Sequence, residues 1–165
     1  MVTLKQEKPR EQLFAELAAL QRNMEKKLAV KEQFIKRFQT LAQTEEDPLP
    51  LLNLFPCPVA MFKMGGYLHR VNHTLMENTD LREEDVLEGI VNFLARVTNE
   101  NFAMLEAVEG VFYRKTALLS KLSYPLELFC KSWSYPVRDD YHSALFFPLP
   151  SGDEDIRYGI VMLMK

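Results

Sequence analysis

The chain has 165 residues, 47% of them hydrophobic and 26% charged, which suits one globular domain of ordinary size plus an appendage. Its net charge of -3, with both signs interspersed, argues against an electrostatic nucleic-acid binder, and no run approaches the roughly 20 apolar residues that span a bilayer. Two cysteines, Cys57 and Cys130, are too few for a secreted disulfide framework. Met1 to Arg10 lacks an apolar signal core, so a reducing, cytoplasmic setting is expected.

Glu11 to Gln43 contains neither Gly nor Pro and is filled with strong helix formers. Leu13, Leu17, Leu20, Met24 and Leu28 recur at spacings of three and four, and Phe34, Phe38 and Leu41 follow. That is one apolar stripe on a helix of about 33 residues, about 50 Å long. The register drifts near Lys27 and Lys31, so it is not a clean heptad seam. Such a stripe needs cover, either from its own domain or from a second copy of the chain. Pro48 and Pro50 end the helix and divide the chain into an N-terminal dimerisation helix, residues 1–47, and a second domain, residues 48–165.

In the second domain Pro58 to Phe62 reads as a strand, Gly65-Gly66 as a turn and Tyr67 to Val71 as the return strand. Asn72 is a good N-cap for a helix over His73 to Asn78. Arg82 to Glu88 reads as a short helix stopped by Gly89, and Ile90 to Val97 and Asn99 to Val108 read as further helices. Three strands are then expected, over Tyr124 to Trp133, Tyr141 to Phe147 and Ile156 to Met164, with a turn at Ser151-Gly152-Asp153. Both faces of these strands carry large apolar groups, so the sheet needs cover on both sides.

A hairpin, short helices and three antiparallel strands, in that order, resemble the PAS family. The residues resemble it too. Pro56 to Phe62 is similar to its opening strand, and Gly66 to Asn72 to its second strand with the terminal Asn. Glu84 to Gly89 is similar to its short acidic helix, and Pro148 to Asp153 with Tyr158 to Val161 to its final hairpin. Lys63 and Asp80 depart from it, standing where many members have an acidic residue and a glycine. The implied fold is mixed α/β: a five-stranded antiparallel sheet with short helices on one face, preceded by the long N-terminal α-helix.

The resemblance also implies a function. The expectation is a regulatory sensor or interaction module of signal transduction. It would bind a small molecule or a partner and relay the event through the packing of a homodimer, to a signalling partner or an output domain. The alternative is a ligand-free structural dimerisation adaptor. The ligand pocket would lie between the middle helices and the inner sheet face, lined by Met61, Leu75, Phe93, Phe102, Leu105, Trp133 and Phe146. Those side chains could equally fill the core. Flavin-bonding members carry a helical cysteine, and haem-binding members a histidine on the long helix before the later strands. Neither Cys57 nor Cys130 fits the first role, and Asn99 to Val108 contains no histidine, so neither cofactor is expected. No zinc-site spacing, phosphate-binding glycine loop or G-x-S-x-G elbow occurs, so no metal or catalytic residue is assigned.

Overall fold

Gly65 and Gly66 take φ of 86° and 93°, a left-handed geometry open to glycine, and there the chain folds back on itself. The turn joins β1 (Val59–Phe62) to β2 (Leu68–Val71). A computed structural model describes residues 9–26, 30–151 and 155–165. Its centre is a five-stranded antiparallel sheet in the order β2-β1-β5-β4-β3, completed by β3 (Ala117–Leu119), β4 (Ser143–Pro150) and β5 (Ile156–Met164). This is the PAS-like arrangement expected from the sequence.

The register decides which side chains share a face. Phe62 lies opposite Gly159, and Phe146 opposite Val161, on the inner face. Met61 and Phe147 both lie opposite Ile160, on the outer face. Beyond a short α3 (Leu49–Leu52), the inner face is covered by α4 (His73–Glu77), α5 (Glu83–Leu87), α6 (Ala103–Val111) and 3-10 turns at Phe93–Arg96 and Pro125–Phe129. The N-terminal segment covers the outer face.

The N-terminal segment is not one helix. It forms α1 (Arg10–Lys26) and α2 (Lys31–Thr44), which run antiparallel. Arg10 Nε meets Glu45 Oε1 at 2.8 Å, and Arg37 Nη1 meets Glu16 Oε2 at 2.9 Å. In a continuous helix the first pair would stand about 50 Å apart. A straight rod would also leave its apolar stripe in water, whereas the reversal covers it. Leu17 is fully buried, and Phe14 and Leu20 pack on the core. Phe34, Ile35 and Phe38 of α2 sit on the sheet. The side chain of Met24, and Leu28, lie outside the described residues, as do Gly152 and Asp153 of the expected turn.

The third strand is also displaced from its expected place. Tyr124 to Trp133 is not a strand; Pro125–Phe129 is a 3-10 turn entered through Tyr124 at φ 48°. Proline favours the first position of a helical turn, and Leu126 and Phe129, three apart, both point into the core. A short run of apolar residues fits either structure by periodicity alone. The edge strand is instead β3. Ile90 to Val97 is likewise not a helix throughout. Asn92 makes a bridge to Tyr67, and only Phe93–Arg96 coils, as a 3-10 turn. Asn99–Asn101 forms another such turn, and α6 begins after it.

Candidate functional site

Asn72 fixes the corner where the sheet meets its inner cover. Its Oδ1 accepts the N–H groups of Val59 and Leu75, each at 3.0 Å, so it caps α4 and holds β1 at once. Its Nδ2 donates to the carbonyls of Leu52 at 3.0 Å and Cys57 at 2.8 Å. All of its hydrogen-bonding capacity is used within the fold, so its role is structural.

Aromatic rings fill the space beneath the inner helices. Phe93 stacks on Phe129 at 4.8 Å between centroids, and Phe62 meets Phe93 at 5.5 Å and Phe146 at 6.3 Å. All four are fully buried. Gly159 makes this packing fit: a Cβ there would stand 2.5 Å from Phe62 Cζ and 2.7 Å from Val111 Cγ1. The Phe62 ring therefore lies across β5 where that strand has no side chain.

Of the seven residues expected to line a pocket, Phe93 and Phe146 meet at the Phe62 ring. Leu75 is buried on α4. Met61 is on the other face of the sheet, near the end of α2. Phe102 is half exposed, and Trp133 is on the surface with the Arg96 guanidinium 4.4 Å above its ring. Leu105 lines an open cleft on the inner side.

That cleft measures about 640 Å³ and lies where the Gly65-Gly66 turn, the Phe93–Arg96 turn and α6 converge. Leu94, Leu105, Val108 and Phe112 give it apolar walls, and Met64 and Tyr113 stand exposed at its rim. Asn92 and Glu109 supply polar groups. The Asn92 Oδ1 accepts the Leu94 N–H at 2.9 Å, which holds the side chain in one orientation. Gly66 sets the wall's position, because a Cβ there would come within 2.6 Å of Leu94 Cγ and 2.8 Å of Asn92 Oδ1. None of Asn92, Leu94, Val108, Glu109, Phe112 or Tyr113 stands in a sequence motif that marks a site. They come from two separated segments, with Met64 and Gly65 adding a third to the cleft, and no local pattern joins them.

A second cleft, about 490 Å³, lies on the outer side between the end of α2 and the sheet, and includes Met61, His69, Glu45 and Tyr158. The His69 ring stacks on Tyr158 at 4.5 Å. Burial, then the charges of Arg70 and Lys63, push the His69 pKa down, while Asp47 pulls it the other way. Cys130 is buried and its Sγ donates to the Leu126 carbonyl at 3.5 Å. Burial pushes its thiol pKa up, which is the wrong direction for a nucleophile. Among the described residues no three His, Cys, Asp or Glu side chains are grouped to hold a metal ion.

No family model and no curated protein matches the chain. Among solved structures it is similar to the PAS-B domain of Drosophila melanogaster Cycle with bound ethylene glycol, at 14% identity and a TM-score of 0.47, over 65% of this chain and 97% of that one. A sensory box sensor histidine kinase from Vibrio cholerae is similar at 10% identity and a TM-score of 0.47, over 84% and 95% of the two chains. The PAS domain of Bordetella pertussis BvgS is similar at 14% identity and a TM-score of 0.47, over 70% and 81%.

Proposed function

We propose that the chain is a regulatory sensor or interaction module. It takes up a small molecule or a partner on the helix-covered side of its sheet and passes the event across the sheet to the N-terminal helix pair. One observation supports this above others. Phe146 and Phe147 are neighbours on β4, and they belong to ring clusters on opposite faces. Phe146 touches Phe62 beneath the inner helices, while Phe147 lies 5.0 Å from Phe38 and 6.3 Å from Phe34 of α2. A shift of β4 moves both clusters, because close-packed interiors transmit displacement.

In this reading residues 48–165 sense and residues 1–47 report. The exposed seam of the helix pair, with Leu13, Lys36, Thr40 and Leu41, contacts a second copy of the chain or an output domain. The module is non-catalytic and works in the cytoplasm. No helix among the described residues is long and apolar enough to cross a membrane. A substitution in the inner cluster, Phe146→Leu, tests the relay. Amide hydrogen exchange of Lys31–Thr44 is expected to accelerate although the altered side chain does not face α2. Acceleration confined to the inner helices would sink the reading.

The ligand-free adaptor has its own support, since Phe62, Phe93, Phe129 and Phe146 leave no exposed surface in the inner core. Native mass spectrometry separates the two. A retained small molecule favours the sensor; a bare chain across several preparations favours the adaptor.

A further inference from the structure

The cleft beside the Gly65-Gly66 turn has an asymmetric chemistry. Its volume of about 640 Å³ falls within the range of small-molecule sites. Its lining contains one carboxylate, Glu109, two aromatic rings, Phe112 and Tyr113, and no Lys, Arg or His. Glu109 is exposed and makes no ion pair with any described Lys or Arg. With Asn92 Oδ1 taken by the Leu94 N–H, the Asn92 Nδ2 has no acceptor among the described residues.

We propose that this cleft binds a compact organic cation, with an apolar body of aromatic or short-chain size and an ammonium group at one end. The proposal rests on the sensory reading above and names the class of its ligand. The apolar body occupies the walls made by Leu94, Leu105 and Val108. The ammonium lies at the rim, between the Glu109 carboxylate and the face of Tyr113. A carboxylate gives a charge-assisted hydrogen bond, and an aromatic face attracts a cation through its quadrupole. Asn92 Nδ2 donates to a hydroxyl or carbonyl oxygen where the ligand has one. An anion is disfavoured twice, since it meets Glu109 and finds no cationic side chain in the lining.

Calorimetric titration of the whole chain tests this with three probes sharing one body: phenylbutylamine, phenylbutanol and phenylbutyrate. The amine is expected to bind tightest and the acid weakest. Glu109→Gln should weaken the amine about fivefold and leave the alcohol unchanged, the effect of one partly solvated ion pair. Ala95→Trp, at an exposed position on the cleft wall, should block all three. Thermal melts of both variants establish that they are folded. An acid or alcohol binding as tightly as the amine, or an amine indifferent to Glu109→Gln, overturns the cation class. Binding that survives Ala95→Trp overturns the location. No binding by any probe overturns the cleft as a site. Amine binding that meets all these expectations but leaves α2 hydrogen exchange unchanged counts against the sensory relay and supports the ligand class.

Discussion

The two faces of the sheet are covered in different ways. The outer face lies under one amphipathic helix, whose Phe34, Ile35 and Phe38 are buried and whose two rings, Phe34 and Phe38, meet Phe55 and Phe147. The inner face lies under short pieces: α4, α5, two 3-10 turns and α6. A continuous helix lays rings on a sheet at regular intervals. Short pieces leave joints, and the largest cleft described above sits at one, between the β1–β2 turn, Phe93–Arg96 and α6. On the function proposed above, the regular cover would transmit and the segmented cover would bind.

Deleting one ring from each face is the strongest test of that contrast. Phe147→Ala should cost about 3–5 kcal/mol, because a regular helix over a sheet collapses poorly into the gap. Phe93→Ala should fall at the lower end of that range, since the short turns around Phe93 can close on the space left. Urea unfolding of both variants measures the difference. If Phe93→Ala proves the costlier of the two, the outer cover is not the more rigid one.

This contrast also explains what was legible in the sequence. β1, β2, α4 and α5 could be placed because each boundary has a local chemical cause: the positive φ of Gly65 and Gly66, the cap from Asn72 and the positive φ of Gly89. The reversal between α1 and α2 had only a register drift to announce it, near Lys27 and Lys31. What decides it is burial of the stripe, Leu17 with Phe34 and Phe38, in a core built from residues far along the chain; the exposed pairs of Arg10 with Glu45 and Glu16 with Arg37, across 35 and 21 residues, only accompany it. The Pro125–Phe129 turn is hard to read because so short and mostly apolar a run fits a strand or a helical turn equally by period. Met61 is expected on the inner face, where the structure has Phe62. Alternation gives two faces, but only pairing with β5 says which is inner. Asp80, a departure from the family pattern, accepts the N–H groups of Lys131 at 2.6 Å and Ser132 at 2.9 Å, a tether invisible without the fold.

A smaller effect is expected where the inner layer is tightest. Gly159→Ala adds one methyl against Phe62 Cζ and Val111 Cγ1, which must move. Overpacking of this kind costs about 1–3 kcal/mol. If the Phe62 ring is the obstacle, Phe62→Leu should cost less in the Gly159→Ala background than alone. A thermodynamic cycle from urea unfolding reads this directly, and additive costs would show that the strain lies elsewhere.

The smallest effect concerns the tie between the inner helices and residues 130–132. Lys131 Nζ lies 2.9 Å from Asp85 Oδ2, which also accepts the Arg82 N–H at 2.9 Å. The hydrogen bond from Lys131, followed by that from the Arg82 backbone, holds the Asp85 carboxyl below its ordinary value of 3.8. A carboxylate with a lowered folded pKa binds fewer protons folded than unfolded. Its contribution is therefore complete above about pH 4. It is lost as the pH falls through the lower folded value. Both side chains are partly exposed, at 42% for Lys131 and 23% for Asp85, so solvent screens the pair. The contribution should be about 0.5 kcal/mol, and smaller in high salt. Asp85→Asn should lower the unfolding free energy from urea titration near neutral pH by that amount, and the gap to the parent chain should close as carboxyls protonate. Persistence of the full gap in strong acid, or indifference to salt, would show that Asp85 acts through its cap on α5 and not through Lys131.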